Sequence, residues 1–114
     1  MDELFDLVNQ GQINALTSPI TITEIMSHPR RLGLEDVAYA YKLLLVNFPN
    51  LTIPSIDAAV ADKAAALRTT YGLKTPDALQ LATGIIHHAS AFITFDREIA
   101  KATAAIQVII PEEN

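Results

Sequence analysis

The chain has 114 residues, half of them apolar, and a formal net charge of −5. This length predicts a single domain over residues 1–114 with its own core, and the absence of cysteine excludes disulfides and cysteine-ligated zinc. The start is acidic and no apolar run approaches the roughly 20 residues that span a bilayer, so we expect a cytoplasmic protein without a membrane segment.

Helices and short apolar segments alternate in the first half of the sequence. Ser18 is a good N-cap and Pro19 is favourable at the first helical position, whereas Pro29 should end that helix. Apolar residues at helical spacing over 37–48 predict an amphipathic helix. In chain order, we predict a helix that ends at Gly11, a weak strand over 13–16, a helix from Pro19 to before Pro29, a turn with Gly33, a helix over 36–47 and a strand over 51–53.

The second half continues this alternation. The predicted elements are a helix capped by Asp57, with Val60, Ala64, Leu67 and Tyr71 on one face and Gly72 at its end, a helix from Thr75, a strand over 91–95, a short helix from Arg97 and a strand over 107–110. The helix from Thr75 is apolar nearly all round, which predicts burial on several sides. The apolar run 91–95 suits a central strand covered on both faces. The pattern predicts an α/β fold, a three-layer sandwich whose mostly parallel sheet has about four short strands and helices on both faces.

Three acids lie where parallel α/β domains bind ligands, near strand ends or early in the following helices. Asp96 follows the strand 91–95, Asp77 lies in the first turn of its helix, and Glu24 lies inside the second helix. Asp96 and Asp77 also have structural explanations, since Asp96 can cap a helix and Asp77 suits the helix dipole. A capping box with Thr21 is the structural explanation for Glu24, but the better helix start at Ser18-Pro19 puts Glu24 well inside the helix, where capping does not explain it. Together they form an oxygen-only set that suits Mg²⁺ or Mn²⁺, and such ions would supply the positive charge that an acidic nuclease lacks.

Three segments carry a resemblance to a known family. They are Thr21-Ile22-Thr23-Glu24-Ile25, Thr75-Pro76-Asp77-Ala78-Leu79-Gln80-Leu81-Ala82 and Phe92-Ile93-Thr94-Phe95-Asp96. In this order and spacing they resemble the motifs of PIN domains, which include the toxins of many bacterial VapBC toxin–antitoxin systems. The resemblance covers nearly the whole chain.

The resemblance implies a metal-dependent endoribonuclease, a VapC-type toxin in which a carboxylate cluster holds Mg²⁺ or Mn²⁺ and activates water for attack on an RNA phosphodiester. Carried over by position, Glu24, Asp77 and Asp96 would be the catalytic and metal-binding residues. Thr94 would be a polar neighbour of the site. The implied partners are RNA and an antitoxin protein.

The sequence departs from this family at its start. PIN domains open with a central strand that ends in an aspartate, and no segment here corresponds to it. We therefore expect an N-terminally truncated domain that lacks the first catalytic aspartate. Metal binding should be weakened or lost and nuclease activity impaired, because catalytic groups that act as a unit fail together.

The missing strand also predicts self-association. Its neighbours would have unpaired backbone groups and apolar faces. Either the neighbours pair directly within one chain or a second copy of the chain covers them, and we expect the second outcome, a homodimer. Two alternative functions remain open from the sequence. One is a non-catalytic PIN-like module for binding or oligomerisation, and the other is a Mg²⁺-dependent phosphatase-like α/β protein.

Overall fold

The computed structural model describes residues 6, 10–12, 15–89, 91–94 and 107–109. In this part of the chain, four helices and four strands follow one another in an alternating α/β order, as predicted. They are β1 (Ala15–Leu16), α1 (Pro19–Arg31), α2 (Glu35–Val46), β2 (Leu51–Thr52), α3 (Ala58–Tyr71), α4 (Thr75–Ile86), β3 (Ala91–Ile93) and β4 (Gln107–Ile109).

The four strands form one parallel sheet in the order β2-β1-β3-β4. The connection from β1 to β2 runs one way along the sheet, and the connection from β2 to β3 runs the other way. Right-handed crossovers, which parallel strands almost always use, then place α1 and α2 on one face and α3 and α4 on the other. This arrangement confirms the predicted three layers and the central position of β3.

The sheet has no gap between β1 and β3. These strands pair directly, with Ala15 opposite Ala91 and Leu16 opposite Phe92. On the other side of β1, the N–H of Thr17 extends the pairing by donating to the carbonyl of Thr52 at 3.0 Å. The expectation that a missing strand leaves unpaired backbone groups at this position is therefore wrong, because two very short neighbours satisfy each other.

Local chemistry sets several helix ends as predicted. The Ser18 hydroxyl accepts a hydrogen bond from the N–H of Ile20 at 3.2 Å and caps α1. Asp57 caps α3 by accepting from the N–H of Val60 at 3.0 Å. Gly72 ends the same helix in the left-handed conformation, with φ of 67°, which glycine adopts without steric cost.

The end of α1 differs from the prediction. The helix continues through Pro29 to Arg31, so the expected end before Pro29 is wrong. Proline is tolerated there because it lies in the last turn, where its missing N–H removes a single internal bond, and because its ring is buried. The Pro29 carbonyl accepts hydrogen bonds from the N–H groups of Leu32 and Leu34, which closes the helix end.

The main apolar core lies between α3 and α4. It is formed by Val60, Ala64, Leu67, Ala78, Leu81 and Ala82. Burial of α4 on several sides is confirmed. The predicted face of α3 is confirmed except at Tyr71, whose ring is exposed because it lies at the helix end.

Most apolar side chains of α2 are exposed, whereas an ordinary surface helix buries its apolar side chains against the core. Of this helix only Ala38 is buried, whereas Val37, Tyr41 and Leu44 are exposed. The helix packs on α1 alone to any substantial extent, and nothing within the described chain covers its outer side. The amphipathic pattern is real, but most of its apolar stripe faces outward.

Several predicted features lie wholly or partly outside the described residues, among them the ends of the strands over 13–16 and 107–110. Of the first predicted helix, Asp6 is helical and Gly11 has a φ of 78°, as expected for a C-terminal glycine. The last predicted residues of the strand over 91–95, and the helix from Arg97, are not described. None of the described helices combines the length and apolarity that spanning a bilayer requires.

Truncating a core leucine tests this packing. Leu81→Ala should lower the free energy of unfolding by about 2–5 kcal/mol, because Leu81 is 1% exposed and truncation leaves a cavity. Leu44→Ala is the matched control, since Leu44 is 70% exposed and its truncation should change stability by less than about 0.5 kcal/mol. Urea unfolding at high dilution measures both, and equal losses would contradict this core.

Candidate functional site

Two threonines directly follow adjacent strands at the carboxyl edge of the sheet. Thr17 follows β1 and Thr94 follows β3, and both are fully buried. The Thr17 hydroxyl donates to the carbonyl oxygen of Ile93 at 2.7 Å. This bond joins the ends of the two central strands, at the point where the strand order changes direction, which is where open α/β sheets bind ligands.

Helix α1 begins at this edge and carries Glu24. Thr21 lies in its first turn and is fully buried, and Glu24 lies one turn later on the same face. The capping-box explanation for Glu24 is wrong, because Ser18 is the N-cap of this helix. Glu24 is only partly buried, so its carboxylate lies between the protein interior and solvent.

Helix α4 brings a second carboxylate to the same region. Asp77 lies in its first turn, as predicted, and is 7% exposed. A negative charge at this position is stabilised by the positive end of the helix dipole. Gln80 lies one turn further along the same face, with roughly 5–6 Å expected between the two Cβ atoms.

A series of close polar contacts connects the two helices to the sheet. Gln80 Nε2 donates to Glu24 Oε1 at 2.9 Å, and the Thr21 hydroxyl donates to Gln80 Oε1 at 2.8 Å. The Thr21 and Thr17 hydroxyl oxygens lie 2.8 Å apart. Together with the Thr17 bond to Ile93, these contacts run from the end of β3 to the Glu24 carboxylate.

Sequence reasoning missed Gln80 and Thr17, and it assigned Thr21 only a capping role. Gln80 carried the clearest signal, since it is a polar residue within a helix that is otherwise apolar nearly all round. A buried glutamine must find partners for both ends of its amide. Among the described residues, no buried side-chain nitrogen or oxygen atom is left without a hydrogen bond.

The structure places the predicted site residues to different extents. Glu24 accepts a hydrogen bond from Gln80, and Gln80 follows Asp77 by one turn on α4. Thr94 lies at the same edge of the sheet, and Asp96 lies outside the described residues. Convergence of all three acids therefore stays a prediction.

The described donors fit a hard divalent ion in their chemistry. Glu24 and Asp77 supply carboxylate oxygens, which Mg²⁺ and Mn²⁺ prefer. Within the described residues, no group of three or more histidine, aspartate or glutamate side chains is arranged to hold a metal ion. The predicted site requires Asp96 as its third acid.

Comparisons with known proteins bear on the family and the fold. The family model for the PIN domain matches residues 2–105. The chain is also similar to a chain of a solved structure described as a toxin-antitoxin complex from Klebsiella pneumoniae, with a TM-score of 0.64 and 28% sequence identity. That similarity covers 100% of this chain and 88% of the other. No curated protein matches the sequence.

Removing one hydroxyl tests the buried hydrogen bonds. Thr21→Val keeps the shape of the side chain but removes the donor to Gln80 Oε1, so the free energy of unfolding should fall by about 1–3 kcal/mol. Thr23→Val is the matched control, because Thr23 is exposed on the same helix. Its effect should stay within about 0.5 kcal/mol. Chemical denaturation compares the two, and similar effects would show that the Thr21 contact contributes little.

Proposed function

This chain belongs to the PIN domain family, and from that premise we propose that it is a VapC-type toxin that cleaves RNA phosphodiester bonds with the help of a divalent metal ion. One observation carries the proposal. Gln80 donates a hydrogen bond to the Glu24 carboxylate near the carboxyl edge of the two central strands. Gln80 itself lies one helical turn from Asp77, which is 7% exposed. The similarity to a chain of a toxin–antitoxin complex supports the toxin assignment.

Each residue has a defined role in this proposal. Glu24, Asp77 and Asp96 would hold Mg²⁺ or Mn²⁺, and Thr94 would be a polar neighbour of the site. A bound divalent ion would activate water and stabilise the charge that develops on the phosphate. The chain needs this positive charge, because its own net charge of −5 repels RNA.

The reaction would be a hydrolysis. The water oxygen forms a bond to phosphorus, the bond from phosphorus to the leaving sugar oxygen breaks, and that oxygen takes up a proton. An RNA substrate would place the protein in the cytoplasm.

Because β1 pairs directly with β3, no further acid-bearing strand lies between them, so we propose that three acids serve here and that activity is weak.

Metal titration and RNA cleavage test the proposal together. Mn²⁺ should bind to the purified chain, and Glu24→Gln, Asp77→Asn or Asp96→Asn should each raise the Kd by at least about 10–100-fold, the cost of losing even an outer-shell partner. RNA cleavage should be slow with Mn²⁺ and lost in the same variants. Asp62→Asn is the control, because this acid is exposed on α3, away from the site. Cleavage that persists without divalent ions, or in Asp96→Asn, would contradict the assignment.

A second candidate function is protein binding, and the outer side of α2 favours it. Val37, Tyr41 and Leu44 are exposed at i, i+4 and i+7 and form one apolar stripe, here called the α2 face. Tyr39, Leu43 and Val46 are also exposed and lie on another side of the helix. Exposed stripes of this kind receive an amphipathic helix from a partner. We propose that an antitoxin covers the α2 face in the complex and that a second copy of the chain covers it otherwise.

Placing a charge on the α2 face tests this surface. The chain alone should form a dimer at tens of micromolar, and Leu44→Lys should convert it to a monomer, because a lysine within the α2 face opposes the burial of that face. Ala66→Lys adds the same charge at an exposed position on α3 and should leave the dimer intact. Light scattering measures both. A monomeric parent chain, or a dimer unaffected by Leu44→Lys, would mean that the α2 face does not mediate self-association.

A further inference from the structure

We propose that Gln80 is a positioning residue, which holds the Glu24 carboxylate in the orientation needed to bind a divalent ion. The inference rests on the proposed function and assigns a role to a residue that carries no charge and would bind no metal itself. Gln80 is completely buried, and its amide nitrogen donates to Glu24 Oε1 at 2.9 Å. The role follows from what holds Gln80 in turn.

The Gln80 amide has one orientation in which both of its ends are satisfied. Its oxygen accepts from the buried Thr21 hydroxyl at 2.8 Å, so its nitrogen must face Glu24. Thr21 in turn contacts Thr17, which is bonded to the backbone at the end of β3. Buried groups therefore fix the position of the Glu24 carboxylate relative to the sheet, although Glu24 itself lies on a helix and is partly exposed.

This link matters because a glutamate side chain has three rotatable bonds and loses entropy when it is fixed. A carboxylate that is already oriented pays less of this cost when an ion binds. A carboxylate also offers about four lone-pair positions, so accepting one hydrogen bond from Gln80 is compatible with binding an ion. Outer-shell hydrogen bonds of this kind typically change metal affinity by about 10–100-fold.

The first test replaces the amide with an apolar side chain of similar length. Gln80→Met should raise the Kd for Mn²⁺ by about 10–100-fold, measured by calorimetry on the folded protein. Thr83→Val is the matched control, because Thr83 is equally buried on α4 but bonds only to the Leu79 carbonyl of its own helix, at 2.8 Å. This control should leave the Kd within about twofold, as expected for a residue outside any metal-ligand shell.

A double variant separates positioning from a merely structural role. Gln80→Met alone leaves the Thr21 hydroxyl without its acceptor, which can destabilise the fold. Thr21→Val combined with Gln80→Met removes both polar groups, and Thr17 keeps its bond to Ile93. If Gln80 acts as proposed, this variant regains thermal stability but keeps the raised Kd. Recovery of Mn²⁺ affinity together with stability would overturn the inference.

A double-mutant cycle shows whether Gln80 acts through Glu24. In a Glu24→Gln background, Gln80→Met should raise the Kd by less than about threefold, because the carboxylate it positions is already gone. Full additivity of the two effects would contradict the inference.

The outcomes also distinguish this inference from the function on which it rests. If the parent chain binds no Mn²⁺, the proposed function fails and the inference fails with it. If the parent chain binds Mn²⁺ through Glu24 and Gln80→Met binds it equally well, the proposed function stands and only the positioning role is wrong.

Discussion

The buried hydrogen-bond chain from the end of β3 to Glu24 is the constraint on which the candidate site depends. It joins three separate segments of the sequence, namely the end of β1 with the first two turns of α1, the second turn of α4, and the end of β3. In a low-dielectric interior such groups must all be paired, because a single unsatisfied member costs about as much as a good hydrogen bond contributes. These buried contacts therefore hold α1 and α4 at a fixed position over the carboxyl edge of the sheet.

Direct pairing of β1 with β3 makes this arrangement possible. The Thr17 hydroxyl reaches the Ile93 carbonyl because the two strands are neighbours in register. The strand order also changes direction between β1 and β3, so the carboxyl edge at these two strands is the natural ligand position in a parallel α/β domain. Through the bond from Gln80 to Glu24, helix α4, which also carries Asp77, is linked to α1 near this edge.

The two sides of the α1–α2 hairpin have different roles. The inner side of α1 carries the buried polar residues of the site, whereas the outer side of α2 exposes the apolar residues of the α2 face. An exposed stripe of this kind is costly in water and marks a surface that a protein partner can cover. A partner bound to α2 would rest on the helix that packs against the Glu24-bearing helix, so the two proposed functions are physically adjacent.

The sequence by itself determined the alternation of helices and strands, the caps at Ser18 and Asp57, the end at Gly72 and the helical first-turn position of Asp77, because these follow from short-range chemistry. The family resemblance also followed from local motifs. Only the tertiary structure decided that β1 pairs with β3, that the stripe of α2 faces outward, and that Gln80 meets Glu24 across 56 positions of sequence. Periodicity shows that a helix has an apolar side but not what covers it, and buried polar contacts depend on which distant segments the fold brings together.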